Sequence, residues 1–352
     1  MNDIKVMVVD DSAFMRKVIG DIITAQPDMR VVATARNGQE ALKLIKTVDI
    51  DVITMDVEMP IMNGLQALEK IMSEDPLPVI MLSSLTQRGA DATMKALCLG
   101  AVDFISKPSG TMGINNTAGE ITRKIKIAAA TRYRLRKQSV QPILKKTKPI
   151  KTAISANDTP GKLVLIGTST GGPKALHEVI PKLPGNLGAA VLVVQHMPSG
   201  FTRSLAERLD RLSSLRVKEA EDGERILRGC VYIAPGDFHL KVRRSADSSN
   251  RRLMVNLTQD NLVSGHRPSV DAMLDSVVNE YWSKIITVIM TGMGQDGAKG
   301  ASWVKSKGGK VIAEDSSTCI VYGMPKAVVE TGNADKILPL QNIANAIAEM
   351  VL

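Results

Sequence analysis

The chain carries two series in which short apolar runs alternate with amphipathic stretches. In the first 110 residues the runs are Ile4–Val9, Val52–Met55, Val79–Leu82 and Val102–Ile105. They are rich in Val and Ile, as parallel strands covered on both faces should be. Helical patterns lie between them. Over 13–24, Phe14, Val18 and Ile22 recur every four residues and predict one apolar face, with Arg16 and Lys17 off it. Asn37-Gly38, Met62-Asn63-Gly64 and Lys107-Pro108 supply turn chemistry. Residues 115–130 predict a closing helix. A second series follows: Leu163–Ile166, Ala189–Val194, Val231–Ile233, Ile285–Met290 and Val311–Ala313, several ending in glycine-rich turns. Alternation of strand and helix in both halves predicts an α/β chain with two doubly wound domains, over 1–130 and 161–352.

Between them, over 131–160, the pattern gives way to Arg, Lys, Gln, Ser, Thr and Pro, which predicts a flexible linker. Charge sharpens this reading. The net charge is +9, yet residues 121–162 hold twelve Lys or Arg against the single acid Asp158. The remainder is therefore slightly acidic. A basic stretch of this kind reads as a solvated linker before it reads as a nucleic-acid tail. Aromatics are only 3% of the chain, too few for base-stacking platforms, so no nucleic-acid partner is expected. Cys98, Cys230 and Cys319 are odd in number, widely spaced and without a CxxC pair, which favours a reduced, cytoplasmic setting. With Asp3 early and only a short apolar stretch before Asp10, no secretory signal is expected. No run reaches about 18 apolar residues, so no membrane insertion is expected.

Four polar features stand at four predicted strand ends: Asp10 and Asp11, Asp56, Ser83 and Lys107. In a parallel sheet those ends share one edge, where open α/β folds bind ligands. Carboxylates crowded there resist joint ionisation unless a cation joins them, and an oxygen-rich acidic cluster suits Mg²⁺. An ionised Asp56 could attack phosphorus, with Lys107 neutralising charge on the phosphoryl group and the Ser83 hydroxyl bonding to it. Singly, each residue could equally be a helix cap, a turn residue or a solvated side chain. Jointly they make a site.

Residues 1–110 resemble a response-regulator receiver domain of flavodoxin-like fold. The matching pieces are Val9-Asp10-Asp11-Ser12, Met55-Asp56-Val57-Glu58-Met59-Pro60, Asn63-Gly64, Leu82-Ser83-Ser84 and Asp103-Phe104-Ile105-Ser106-Lys107-Pro108. The resemblance implies that Asp56 accepts the phosphoryl group from a histidine kinase. It implies a Mg²⁺ site in which Asp11 and Asp56 are ligands, Asp10 helps through water and Glu58 lends its backbone carbonyl. Ser83 and Phe104 fall at the family's switch hydroxyl and switch aromatic, Ser83 standing where Thr is common.

In the second half, Leu163–Ile166 runs into Gly167-Thr168-Ser169-Thr170-Gly171-Gly172-Pro173, which fits G-x-S-x-G at a strand-to-helix turn. Helix N-terminal N–H groups beside such a serine can stabilise an oxyanion. The chain has four histidines. His196 directly follows a predicted strand and lands on the same edge as Ser169. His177 lies too far along the following helix, and His239 and His266 have no strand that brings them there. Asp296, in the turn Thr291–Gly297 after a third strand, is the candidate orienting acid. Nucleophile, base and acid at three strand ends follow the logic of a catalytic triad. The order Ser, His, Asp is not that of the α/β-hydrolases, so another scaffold is expected. A phosphate loop is the competing reading of the Gly-Ser-Thr turn, but both G-x-G-x-x-G and a Walker lysine are missing.

Residues 162–350 resemble the catalytic domain of the chemotaxis protein-glutamate methylesterase (CheB) family. The carriers are Ile166–Gly172, Gln195-His196-Met197-Pro198, Glu219–Gly223, Ile233–Asp237, His266–Asp271, Thr291–Gly297 and Tyr322–Pro325. The resemblance places the triad on Ser169, His196 and Asp296, and oxyanion contributions on Thr170 and Met293. It implies a seven-stranded, mostly parallel sheet with no cofactor in the catalytic domain. It also implies hydrolysis of glutamyl methyl esters on the cytoplasmic helices of chemoreceptors, deamidation of receptor glutamines, and control by the phosphorylated receiver. Gln295 departs from the Asn expected before the acid. Two rivals from other classes are a receiver-containing transcription factor, which the basic linker favours but which needs a helix-turn-helix, and a non-catalytic nucleotide-binding output protein.

Overall fold

A computed structural model describes residues 3–84, 86–107, 110–135, 159–245, 252–278 and 284–352. The chain divides into two compact units, Met1–Leu144 and Lys145–Leu352. Most of the stretch expected to be a linker, residues 136–158, and Pro108 lie outside the described residues.

The first unit alternates β1 (Ile4–Val9), α1 (Ala13–Thr24), β2 (Met29–Ala35), α2 (Gly38–Ile45), β3 (Val52–Asp56), α3 (Gly64–Glu74), β4 (Val79–Ser83), α4 (Gln87–Leu99), β5 (Asp103–Ser106) and α5 (Gly110–Leu135). All strand pairs are parallel, in the order β2-β1-β3-β4-β5. Polar side chains start the helices: Ser12 accepts from the Met15 N–H, Asn37 from Glu40, and Asn63 and Gln66 form a reciprocal capping box. One helix face differs from the sequence reading. In α1 the buried residues are Ile19 and Ile23, while Phe14 is exposed and Val18 and Ile22 are half-buried. Met15, Ile19 and Ile23 form a stripe with the same spacing as Phe14, Val18 and Ile22. Periodicity cannot choose between two such stripes, and packing on the sheet does.

The second unit begins with β6 (Lys162–Thr168), α6 (Gly172–Val179), β7 (Ala189–Gln195), α7 (Phe201–Asp210), β8 (Arg216–Glu219) and β9 (Cys230–Ile233). A hairpin of β10 (His239–Arg244) and β11 (Leu253–Thr258) and helix α8 (Val270–Val278) follow. It ends with β12 (Ile285–Ile289), α9 (Ala298–Ser306), β13 (Lys310–Glu314), α10 (Met324–Glu330), β14 (Lys336–Leu338) and α11 (Leu340–Val351). Seven parallel strands order as β14-β13-β12-β6-β7-β9-β8, and β10-β11 stand apart as an antiparallel pair. Strand β6 sits at the centre between β12 and β7. Leu163, Leu165, Leu192 and Val194 from the sheet, Leu240 and Val255 from the hairpin, and Met273 and Leu274 from α8 share one buried core. Helix α8 is thereby pressed against the sheet, and its start reaches the strand ends.

Candidate active site and acidic cleft

In the first unit the strand order sets β1, β3, β4 and β5 side by side, so the residues at their ends meet. Carboxylate oxygens of Asp10, Asp11 and Asp56 lie within 4.8 Å of one another. Lys107 Nζ is 2.7 Å from Asp56 Oδ2 and 3.0 Å from Asp10 Oδ2. Burial pushes the Asp56 pKa up, and the hydrogen bond and charge of Lys107 only partly offset it; the charge of Asp10 adds to the rise. Burial alone would lower the Lys107 pKa, but its bonds to the two carboxylates hold it above the usual lysine value. Three carboxylates face one ammonium, so a negative imbalance remains at an edge rich in oxygen donors. Those donors fit a hard divalent cation such as Mg²⁺. Glu58 is exposed, and its N–H donates to Asp56 Oδ1 at 3.4 Å.

The Ser83 hydroxyl is buried and donates to the carbonyls of Gly89 (3.1 Å) and Ser84 (3.2 Å), not to Asp56. Phe104 is buried, with Lys124 Nζ 5.1 Å from its ring centroid and donating to its carbonyl at 2.5 Å.

In the second unit β12, β6 and β7 are neighbours, and their ends deliver Asp296, Ser169 and His196. The His196 N–H donates to the Thr168 carbonyl at 3.1 Å, and the Ser169 N–H to the Thr291 carbonyl at 3.0 Å. Gln195 Nε2 donates to the Ser169 carbonyl at 2.9 Å. Behind this turn a side chain at Gly172 would force its neighbours to move. A Cβ there would lie 2.0 Å from Gln195 Oε1 and 2.1 Å from Thr168 Oγ1. Thr291 ties the β6 and β12 loops to each other and to β13. Its carbonyl accepts from Thr168 Oγ1 (3.2 Å), its hydroxyl donates to the Thr170 carbonyl (3.0 Å), and its N–H donates to buried Glu314 (2.8 Å).

His196 Nε2 is 2.8 Å from Asp296 Oδ2. That bond puts the ring proton on Nε2 and a lone pair on Nδ1, which is buried without a hydrogen-bond partner among the described residues. Ser169 is half-buried nearby, but no hydrogen bond joins its hydroxyl to the ring. Asp296 is 2% exposed. Burial pushes its pKa up, yet the His196 hydrogen bond and the N–H groups of Asp271 and Val270 hold it below the usual carboxylate value. Thr170 is buried, and Met293 is half-buried on the loop that carries Asp296.

One histidine was misplaced by sequence reasoning. His266 stacks on His196, ring centroids 3.9 Å apart and planes 15° from parallel. It needs no strand of its own: Val263 and His266 exchange backbone hydrogen bonds across Ser264 (φ 53°) and Gly265 (φ 78°). The Ser-Gly pair flanked by these residues was the available signal for such a turn. His239 lies buried on β10 and bonds to the Asn261 carbonyl.

Fold and geometry together define a class: a receiver-type α/β unit and a serine-hydrolase-type α/β unit in one chain. Comparison narrows the class. Residues 164–347 match the family model for CheB methylesterase, and residues 6–117 that for the response regulator receiver domain. A protein-glutamate methylesterase/protein-glutamine glutaminase 1 of Syntrophomonas wolfei is 52% identical over 99% of both chains. A protein-glutamate methylesterase/protein-glutamine glutaminase of Thermotoga maritima is 50% identical over 99% of this chain and 98% of its own. The crystal structure of the Thermotoga maritima CheB methylesterase catalytic domain covers 55% of this chain and 100% of its own, at 53% identity and a TM-score of 0.53. The chain belongs to the CheB methylesterase family.

Proposed function

We infer that this chain is a cytoplasmic, phosphorylation-controlled serine hydrolase. It removes methyl groups from glutamyl methyl esters on the cytoplasmic helices of chemoreceptors and deamidates receptor glutamines. The observation that carries the reading is the meeting of Ser169, His196 and Asp296 at the ends of adjacent strands, with His196 already bonded to Asp296. Membership of the family supports the substrate class. The transcription-factor rival finds no support in a second unit built on a seven-stranded sheet.

In this reading Ser169 Oγ attacks the ester carbonyl carbon as its proton passes to His196 Nδ1. N–H groups at Thr170 and Met293 hold the oxyanion. The tetrahedral intermediate collapses, the C–O bond to the methoxy group breaks, and His196 returns the proton so that methanol leaves. Water, deprotonated by His196, then attacks the acyl-enzyme and frees Ser169. With a glutamine substrate the leaving group is ammonia. Asp296 keeps the ring in the tautomer that presents Nδ1 and stabilises the imidazolium between proton transfers.

Control enters through Asp56, whose carboxylate oxygen bonds to the phosphorus of a kinase phosphohistidine as the P–N bond breaks and the kinase imidazole leaves. Lys107 balances the added charge, and Ser83 and Phe104 are the residues that respond. Asp11 and Asp56, with Asp10 through water and the Glu58 carbonyl, would hold Mg²⁺, which would supply charge neutralisation for the phosphoryl group. The test is methanol release from methylated receptor, with and without a small phosphodonor. Wild type should release methanol, and faster with the donor. Asp56→Asn should lose the response to donor, and Ser169→Ala should release almost none. Near-normal release by Ser169→Ala would end the serine-hydrolase reading.

A further inference from the structure

Asp296 is held by more than His196. Its Oδ1 accepts from Ser269 Oγ (2.8 Å) and from the Asp271 N–H (3.0 Å), and its Oδ2 from the Val270 N–H (2.7 Å), opposite His196 Nε2 (2.8 Å). Three of these four donors belong to the first residues of α8 and the residue just before it. The Ser269 hydroxyl is fully buried and has a double duty. It accepts the Ala272 N–H at 3.3 Å as a helix cap, and it gives its own proton to Asp296.

We propose that Ser269 is a positioning residue of the hydrolytic reaction, acting through Asp296. The proposal rests on the Ser169–His196–Asp296 reading given above. A carboxylate can turn about its Cβ–Cγ bond. The hydroxyl at Oδ1 joins the two backbone N–H groups in restraining that rotation and keeping Oδ2 aimed at the imidazole. It also supports the ionised form in a place where burial alone favours the neutral acid. Without it, one backbone N–H remains on each oxygen, and the acid turns and takes up protons more readily.

The bland alternative is that Ser269 only caps α8. Glycine caps nearly as well as serine but has no side-chain donor, whereas alanine lacks both functions and threonine keeps both. The experiment therefore compares full-length wild type, Ser269→Gly, Ser269→Ala and Ser269→Thr, reading kcat, KM, the pH–rate profile and thermal unfolding with methylated receptor as substrate. A hydrogen bond to a charged group predicts a loss of about tenfold or more in kcat for both Gly and Ala, with KM within about twofold. The low-pH edge of activity should move upward in both, and Thr should restore both properties. Only Ala should show the larger loss of thermal stability expected of a lost cap. Wild-type kcat and an unmoved pH edge in Ser269→Gly would overturn the proposal. Wild type that releases no methanol would overturn the hydrolase reading itself, a distinguishable result.

Discussion

Asp56 and Asp296 are both buried carboxylates at the ends of parallel strands, 4% and 2% exposed, yet their environments push them in opposite directions. Asp56 faces one lysine and a second carboxylate and draws only a 3.4 Å backbone contact from Glu58. Its pKa rises. Asp296 is surrounded by donors, three of them from the start of α8, and its pKa falls. Burial sets the size of the problem, and the number of aligned N–H and O–H groups decides which way it is resolved. The difference suits two kinds of work. In the proposed reaction Asp296 keeps a settled charge and forms no covalent bond. Asp56 is left with negative potential unspent, which a cation and then a phosphoryl group can absorb.

The sharpest way to break this comparison is to cross the two sites. Asp56→Asn, or removal of divalent cations, should abolish labelling of the chain by a phosphodonor while basal methanol release persists. Ser169→Ala should leave labelling intact and cut methanol release on the order of 10⁴-fold or more. Loss of both activities from either change would mean that the sites are not chemically separate.

A second contrast sits one residue into the helix after each reactive strand. A Cβ at Gly64 would lie 2.0 Å from the Asp56 carbonyl oxygen, a backbone atom that cannot yield. Gly64→Ala should cost about 3 kcal/mol of receiver stability, read from the denaturant midpoint of that unit's transition.

Asp271 gives the next effect. Burial raises its pKa to about 6, against the opposing Gly300 N–H, and the charge of Asp296 adds to the rise. The ordinary value is 3.8, so the folded state binds the proton more tightly than the unfolded state. The stability this contributes is complete below about pH 4 and is lost as pH climbs through about 6. Asp271→Asn should thus gain up to about 3 kcal/mol at pH 7.5 relative to the native chain, and nothing near pH 4, measured by unfolding of the catalytic unit at both pH values. The smallest effect expected is Gly172→Ala. Its obstacles are side-chain atoms, Gln195 Oε1 and Thr168 Oγ1, rather than backbone, so about 1 to 2 kcal/mol should be lost. Because Gln195 holds the Ser169 carbonyl, methanol release should fall with it.

Sequence alone made the strand ends legible, because fully buried parallel strands write themselves as unbroken apolar runs. Edge elements did not. β2 is mostly half-exposed with only Val31-Val32-Ala33 in a row, β8 reads Arg-Val-Lys-Glu, and β14 has three residues, so none offers a long run to detect. Of the hairpin, β10 alternates polar and apolar residues and β11 has only Leu253-Met254-Val255 in a row, so neither offers a long run. At the site, residues that lead directly out of a strand could be placed. Those brought in by packing could not: His266 arrives on a tight turn, and Ser269 arrives because α8 is pressed to the sheet. Gly167 has no room for a side chain for that reason, since a Cβ there would be 2.6 Å from Val270 Cγ1.

The central place of β6 has a consequence for how the chain is made. This strand emerges first from its half of the protein, and its β7 flank is paired soon after. The other flank waits for β12: Thr168 and Thr291, hydrogen-bonded in the finished fold, are 123 positions apart. At ordinary rates of translation that is a delay on the order of ten seconds. During it, an apolar strand meant for the middle of a sheet stands as an open edge on the ribosome, the kind of surface that chaperones shield.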